Sequence, residues 1–357
     1  MPSLPRLFAC FGAFAALALL VYWPSLGGDW LWDDVDWIRD NETLRSWGGL
    51  GRIWFEPGAV IQYYPLTYTS WWLDWHMWGL DPVALHVENV LLHAANAALF
   101  WALLRRMALP GAWFAALVFL LHPLHAESVA WMVERKNVLS GVFYLGASHL
   151  WWAHLERPSR SALTGALGCF ALALLAKTAT LMLPVTLFAV AWWRRRDARA
   201  TARALAPFAA LALVFAVVTV VRERGEGAVG HDWGLDAVER LALLGQVVWT
   251  YAAQLFAPIG LSFSYAKWDI AADTATGWAS TLLLAVALVL SLRARRPWSS
   301  TPSCGPSRRC AAAASRWTTT TAACRLTRSW RRGGSKGGER SSRCSTCSTT
   351  EAARGAS

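Results

Sequence analysis

Apolar runs of about one membrane thickness alternate with polar stretches along most of this 357-residue chain, and that alternation predicts its elements. Leu7 to Trp23 is uninterrupted, preceded by Arg6 and closed by Pro24. It reads as a first span. A cleaved leader would fit its length and basic start, but no A-x-A-like site follows and Tyr22-Trp23-Pro24 is bulky. Further spans are expected at about 84–104, 111–121, 138–155, 162–176, 178–193, 205–221 and 276–292. In the second of these, Asn89, His93 and Asn96 are spaced four and three apart and share one helical face. That face must turn toward the bundle interior, because lipid cannot satisfy it.

The segments between the spans fix an orientation. Arg105-Arg106, the basic loop at 156–160, and Arg194-Arg195-Arg196 with Arg199 and Arg203 mark the cytoplasmic side by the positive-inside rule. The N-terminus falls on that side as well. The acidic cluster Asp29-Trp-Leu-Trp-Asp-Asp-Val-Asp36, the run Glu134-Arg-Lys-Asn137 and Lys177 then fall on the external face. Residues 24–82 are too aromatic for a solvated loop and are expected to lie on the membrane surface, capping the bundle with amphipathic turns. If 241–259 spanned, Arg293, Arg295 and Arg296 would sit outside, against the bias. That segment is therefore expected to be re-entrant or interfacial, with Gln246, Trp249, Tyr251 and Gln254 on a surface-lying helix that ends at Pro258.

Composition sharpens the class. With 55% hydrophobic residues and a mean hydropathy of +0.31, the chain is an all-α polytopic membrane protein. Its formal charge of +11 is uneven: 299–357 holds 11 Lys/Arg against 2 Asp/Glu, whereas the residues before it hold 23 against 21. The body is nearly neutral, so no field points to a nucleic-acid partner. Cys10 and Cys169 lie inside apolar runs, the other five cysteines lie in 299–357, and no disulfide or zinc spacing marks the body. Two units follow, a membrane domain over 1–298 and a disordered basic tail over 299–357. For the tail two readings stand open, a polybasic segment on anionic lipid and an out-of-frame translation of a GC-rich gene.

The external residues permit a particular chemistry. Transfer from a phosphate-linked donor to a hydroxyl needs a base for the acceptor proton and cations for the leaving phosphate. Asp33 and Asp34 can supply the base, and Arg135, Lys136 and Lys177 the cations. The acids can also do no more than cap a surface helix. His122 and His125 with Glu127 have part of a metal set but no third histidine nearby, so buried hydrogen-bonding histidines are the competing reading. Tyr63, Tyr64, Trp71, Trp72 and Trp75 can stack on a sugar or a polyprenyl chain, or anchor the chain at the interface. A transporter would be expected to place its polar residues near the midplane of several spans, whereas here they gather at span ends and loops.

Several long motifs occur in order: Trp32-Asp-Asp34, Tyr64-Pro-Leu-Thr-Tyr-Thr-Ser-Trp71, Trp78-Gly-Leu-Asp-Pro82, His86-Val-Glu-Asn-Val-Leu-Leu-His-Ala-Ala-Asn96, His122-Pro-Leu-His-Ala-Glu-Ser-Val-Ala-Trp131 and Glu134-Arg-Lys-Asn-Val-Leu-Ser140. Together they resemble the membrane half of the transmembrane and tetratricopeptide-repeat proteins, O-mannosyltransferase-like enzymes of the GT-C fold. The resemblance runs from about Pro24 to Trp298. It implies a GT-C helical bundle with surface helices in its external loops, and a polyprenyl-phosphate-linked sugar as donor, with no certain cofactor. The implied acceptor is a protein or glycan hydroxyl, and the implied partner surface is membrane lipid. Asp33 and Asp34 would be the catalytic acidic motif, and Glu134, Arg135, Lys136 and Lys177 would lie at the donor phosphate. His86, Asn89, His93, His122, His125 and Glu127 would serve the substrate or the structure. Ala257-Pro-Ile-Gly-Leu-Ser-Phe-Ser-Tyr265 falls in the family's late external loop. The family's further spans and repeat domain do not follow Trp298, which leaves a non-catalytic scaffold as a competing expectation. The bacterial inner membrane is the expected location, ahead of the endoplasmic reticulum.

Overall fold

The computed structural model describes residues 3–56, 58–194, 196–225, 237–263, 265 and 274–293. The expectations for 299–357 lie outside them, as do Pro57 and Arg195. The described residues form an all-α membrane protein without a strand.

The first helix, Leu4–Val21 (α1), and a short turn, Trp23–Leu26 (α2), lead into a region with a core of its own. A single π-helical turn, Val35–Arg39, is followed by a 3-10 turn, Glu42–Arg45, and then by Gly49–Phe55 (α3) and Pro65–Trp78 (α4). Trp37, Ile38, Leu44, Ile53, Tyr68 and Trp71 are buried together here. Residues 35–78 fold as a cap around a buried core of their own, more closed than the amphipathic surface turns expected. Trp71 and Trp72 are interior side chains and Tyr64 is buried with them, leaving none of the three free to stack on a ligand or anchor in lipid. The reason is energetic, since each such ring removes roughly 150–250 Å² from water, or roughly 4–6 kcal/mol at ~25 cal/mol/Å².

The cap joins the bundle through Trp78-Gly-Leu-Asp-Pro82. Gly79 takes φ 76°, a left-handed conformation suited to glycine, and its N–H closes α4 onto the carbonyls of Asp74 and Trp75 at 3.2 and 3.1 Å. Asp81 then accepts from the Val83 N–H at 3.0 Å, and Pro82 opens the next helix, Pro82–Arg106 (α5). Small residues let α5 approach α1 closely: Ala15 and Ala18 of α1 pack in one cluster with Val90, Ala94 and Ala97 of α5.

After α5 come Ala112–Leu121 (α6), a turn at Pro123–His125, Ala126–Ala130 (α7), and Arg135–Glu156 (α8). Arg160–Ala176 (α9), a 3-10 turn at Thr178–Met182, Leu183–Trp193 (α10) and Ala198–Gly225 (α11) complete a second core around Trp151, Phe170, Leu174, Leu183 and Phe208. Ala237–Phe256 (α12) and Thr274–Arg293 (α13) follow.

By length and composition, α1, α5 and the Ala198–Arg222 stretch of α11 can each cross a membrane. A fourth span is counted if α6 is taken with Pro123–Ala130, which bends from it by 50°. Of the other expected spans, α9, Thr178–Trp193 and the Ala275–Ser291 stretch of α13 are apolar but shorter. Helix α8 is long enough but carries Arg135 and Lys136 in its first turn. Helix α12, which holds most of 241–259, is one unbroken helix of 20 residues.

Helices α12 and α13 cross where both carry small residues. A Cβ on Gly245 would stand 2.2 Å from the backbone nitrogen of Thr281, and one on Gly277 would stand 2.9 Å from the carbonyl oxygen of Ala242. No side chain could move aside to relieve the first clash, so Gly245→Val is expected to push the helices apart at a cost of about 1–3 kcal/mol. Thermal melting in detergent would report it, with a lower melting temperature when Gly245 is changed.

Polarity is distributed along the bundle axis. At the C-terminal ends of α5 and α8, Arg106 pairs with Glu156 at 2.7 Å and donates to the His149 carbonyl at 3.1 Å, and Arg194 donates to the carbonyl of Met107. The N-terminal ends of α5 and α8 meet at the other end, where Asn89 and Arg135 bond. From Glu88 to Arg106, α5 runs about 27 Å, close to the thickness of a hydrocarbon core.

Candidate active site

The acidic cluster is shaped by a tight turn. The Asp34 N–H donates to the Leu31 carbonyl at 2.9 Å, and the Asp34 carboxylate accepts the Leu31 N–H in return at 3.1 Å. Trp32, inside this turn, takes φ 47°, a left-handed conformation that costs a bulky residue roughly 1–2 kcal/mol. The turn parts the two neighbouring carboxylates: Asp33 faces solvent, while Asp34 is 1% exposed. The second Asp34 oxygen accepts the Val133 N–H at 2.7 Å, fastening the cap's entrance to the start of the Glu134 segment. Burial pushes the Asp34 carboxyl up to about 6 and the charge of Asp33 adds to that, against the two backbone N–H groups and Lys136, which favour the ionised form.

Asp34 lines an open cleft of about 780 Å³. Asp29, Glu127, Trp131, Tyr251 and Gln254 also face it. Its rim is aromatic, with Phe263 set edge-on to Trp32 at 4.6 Å and to Trp131 at 5.0 Å between centroids. The end of α12 is tied to this region through His122. Its Nδ1 accepts from the Leu124 N–H at 3.3 Å, so Nε2 carries the proton and donates to the Leu255 carbonyl at 2.9 Å.

The basic residues expected at a phosphate divide into two groups. Arg135 is 1% exposed and sealed among internal partners. Its guanidinium contacts Asp74, Glu88 at 2.5 Å, the Asn89 side-chain oxygen at 3.1 Å and the Leu85 carbonyl at 3.4 Å. It pairs with two carboxylates at once, an internal role that the expected place at a phosphate did not include. Lys136 and Lys177 instead share Glu134, at 2.9 and 3.2 Å, and Lys136 also sits 4.4 Å over the ring of Trp37. Burial draws the Lys177 ammonium below its ordinary range, while Glu134 opposes that. No Lys or Arg is among the described residues that line the cleft.

The polar face of α5 turns inward as its spacing requires. Asn89 donates to the Trp131 carbonyl at 3.1 Å, Asn96 to the Val138 carbonyl at 2.7 Å, and His93 Nε2 to the Leu120 carbonyl at 3.0 Å. His125 packs on Phe119 at 4.5 Å and lies 5.1 Å from His93. Among the described residues no group of three or more His, Cys, Asp or Glu is gathered as metal ligands. His86 is buried in the wall of the cleft.

Three participants were not foreseen. Asp74 could have been suspected, as a lone carboxylate inside Trp71-Trp-Leu-Asp-Trp75. The Lys136–Trp37 contact and the closeness of Gly28 to His86 carry no sequence signal, because residues distant in the chain create them.

Comparison with known proteins places these residues in context. Over 142 residues, the chain is 37% identical to protein O-mannosyl-transferase tmtc2 of Xenopus laevis and 34% identical to protein O-mannosyl-transferase TMTC2 of Homo sapiens; each match covers 37% of this chain and 17% of the relative. Protein O-mannosyl-transferase TMTC4 of Homo sapiens is 30% identical over 155 residues, 36% of this chain and 21% of the relative. The chain thus spans about a fifth of the length of the curated relatives it matches. These relatives are of the family that the sequence motifs resemble. They come from animals, so they lend no support to the bacterial inner membrane as the location. No family model and no solved structure matches the chain.

Proposed function

We propose that the chain is the membrane part of a GT-C-type glycosyltransferase, which moves a mannose-like sugar from a polyprenyl-phosphate donor to a protein hydroxyl. The observation that carries this reading is Asp34, a buried carboxylate held by two backbone N–H groups at the wall of a cleft large enough for a sugar. Asp34 takes the proton of the acceptor hydroxyl as that oxygen attacks the anomeric carbon, and the sugar–phosphate bond breaks. A group titrating near 6 is ionised at neutral pH yet basic enough to accept the proton in the transition state. Lys136 and Lys177 place two positive charges against the single carboxylate of Glu134, a surplus that balances the leaving phosphate.

Sidedness follows from the arginines. Arg106 and Arg194 lie at the opposite end of the bundle from Asp34, which by the positive-inside rule supports a cleft on the non-cytoplasmic face. The concentration of ionisable groups at that end, rather than at mid-bundle, favours a transferase over a transporter.

The pH profile of transfer tests the base. With purified chain, polyprenyl-phosphate mannose and a threonine peptide, kcat/KM is expected to rise with pH through about 6 and then level, because the working form is the carboxylate. A profile flat from pH 5 to 7.5 would remove Asp34 from that role.

A further inference from the structure

The end of the bundle away from the cleft carries a charge that its own residues do not balance. Arg105, Arg157, Arg160, Arg196, Arg199 and Arg203 are exposed there, and no described carboxylate pairs with any of them. The two acids of these connections are already engaged: Glu156 holds Arg106 at 2.7 Å, and Asp197 accepts the Ala200 N–H at 2.6 Å to cap α11.

The fold gathers these arginines from three connections that are far apart in the chain. The Arg106–Glu156 pair joins the α5–α6 connection to the α8–α9 connection. Arg194 donates to the Met107 carbonyl and stands 5.6 Å from the ring centre of Trp152, which brings the α10–α11 connection to the same place. Leu155 and Leu163, on either side of the α8–α9 connection, pack in one cluster with Ala204 and Leu205 of α11. Arg199 and Arg203, four apart, share an exposed face of α11 just before those packed residues.

Depth and donor geometry identify the balancing group. Arg106 lies about 27 Å along α5 from Glu88, one hydrocarbon thickness, so the arginines stand at the level of lipid headgroups. Trp193 is exposed next to them, as an interfacial anchor is. A guanidinium offers a planar fork of N–H donors that fits phosphate oxygens. The starts of α9 and α11 are closed by Ser159 and Asp197, so the arginine side chains, not the helix ends, are the donors left for an anion. Positive charge at a membrane face is enough to orient a chain during insertion, whatever its arrangement. Here the charges are gathered across three connections and left without carboxylate partners, an arrangement that orientation does not require.

We infer that these arginines form a binding surface for acidic phospholipid headgroups, whose phosphates bridge the three connections. The surface is separate from the cleft and stands whether or not the chain is a transferase. Without the headgroups the like charges repel one another across the connections, so acidic lipid, which binds the folded arrangement, stabilises it.

The full chain in neutral detergent tests this with three probes: phosphatidylglycerol, phosphatidylcholine and soluble glycerol phosphate. Phosphatidylglycerol is expected to raise the melting temperature by about 3 °C or more, whereas phosphatidylcholine and glycerol phosphate shift it by less than about 1 °C. Arg157→Gln with Arg160→Gln, and Arg199→Gln with Arg203→Gln, remove exposed charges outside the cleft. Each pair is expected to weaken phosphatidylglycerol binding at least about 5-fold, read from the midpoint of the lipid titration. Arg52→Gln, at an exposed arginine of the cap, is expected to leave that midpoint unchanged. No response to phosphatidylglycerol, or an equal response to phosphatidylcholine, would overturn the inference. So would an equal response to glycerol phosphate, which would make this a site for free anions. A full response in both double variants would also overturn it, by moving the effect to another basic stretch such as 299–357.

Discussion

Arg135→Met is expected to prevent accumulation of folded chain, with a loss of about 3–5 kcal/mol, rather than to raise the KM for donor. The guanidinium is the single cation between the carboxylates of Asp74 on α4 and Glu88 on α5, and its Nε holds Asn89 as well. Without it, two acids buried side by side must hold a shared proton or repel, and Asn89 loses its donor. Lysine is not expected to rescue, since an ammonium lacks the planar fork that serves Asp74, Glu88 and Asn89 at once. The triple variant Arg135→Met with Asp74→Asn and Glu88→Gln is expected to recover much of the stability, because it removes the uncompensated charges together with their partner. Thermal melts in detergent, with size-exclusion yield, check this. If Arg135→Met melted with the parent and lost only donor affinity, Arg135 would belong at the phosphate after all.

The contrast between Arg135 and its neighbours shows what the sequence could and could not tell. Glu134-Arg-Lys-Asn137 reads as one exposed basic motif facing a phosphate. In the fold its consecutive side chains leave the start of α8 in different directions: Arg135 into the cap junction, Lys136 over Trp37, and Glu134 toward Lys177. Helical periodicity sets about 100° between neighbours, so a contiguous charged run at a helix start cannot all face one ligand. The inward face of Asn89, His93 and Asn96 was legible for the same reason, since their spacing matches the helix period. The closed core of the cap was not. Its aromatic residues follow no single period, and a Trp-rich stretch has the same composition whether it anchors in lipid or packs around Tyr68 and Trp71. The bundle's helices were readable from long apolar runs, but α6 ends at Pro123 after 10 residues, and only the structure shows a 50° bend there instead of a plain span.

Asp34→Asn is expected to lower transfer by about 10²–10⁴-fold, whereas Asp33→Asn stays within about 3-fold of the parent. The pair looks symmetrical in sequence, and it is the turn at Trp32 that separates them, sending Asp33 to solvent and Asp34 to the cleft wall. Loss of activity at position 34 has to be told apart from loss of fold, and the carboxyl's own titration does so. Its folded value of about 6 lies above the ordinary 3.8, so the proton binds more tightly in the folded chain. The resulting stability is fully present below about pH 4 and is lost as pH rises through 6, leaving the ionised form at neutral pH destabilised by roughly 3 kcal/mol. Asparagine carries no such charge. It keeps an oxygen for the Val133 N–H but turns an amide toward the Leu31 N–H, an opposing loss of about 1–3 kcal/mol. Asp34→Asn should therefore melt near the parent at pH 7, and its melting temperature should lack the parent's rise between pH 7 and 5. An inactive variant with that flat profile would establish a catalytic carboxylate. Full turnover in both Asp33→Asn and Asp34→Asn would leave the cleft without its base.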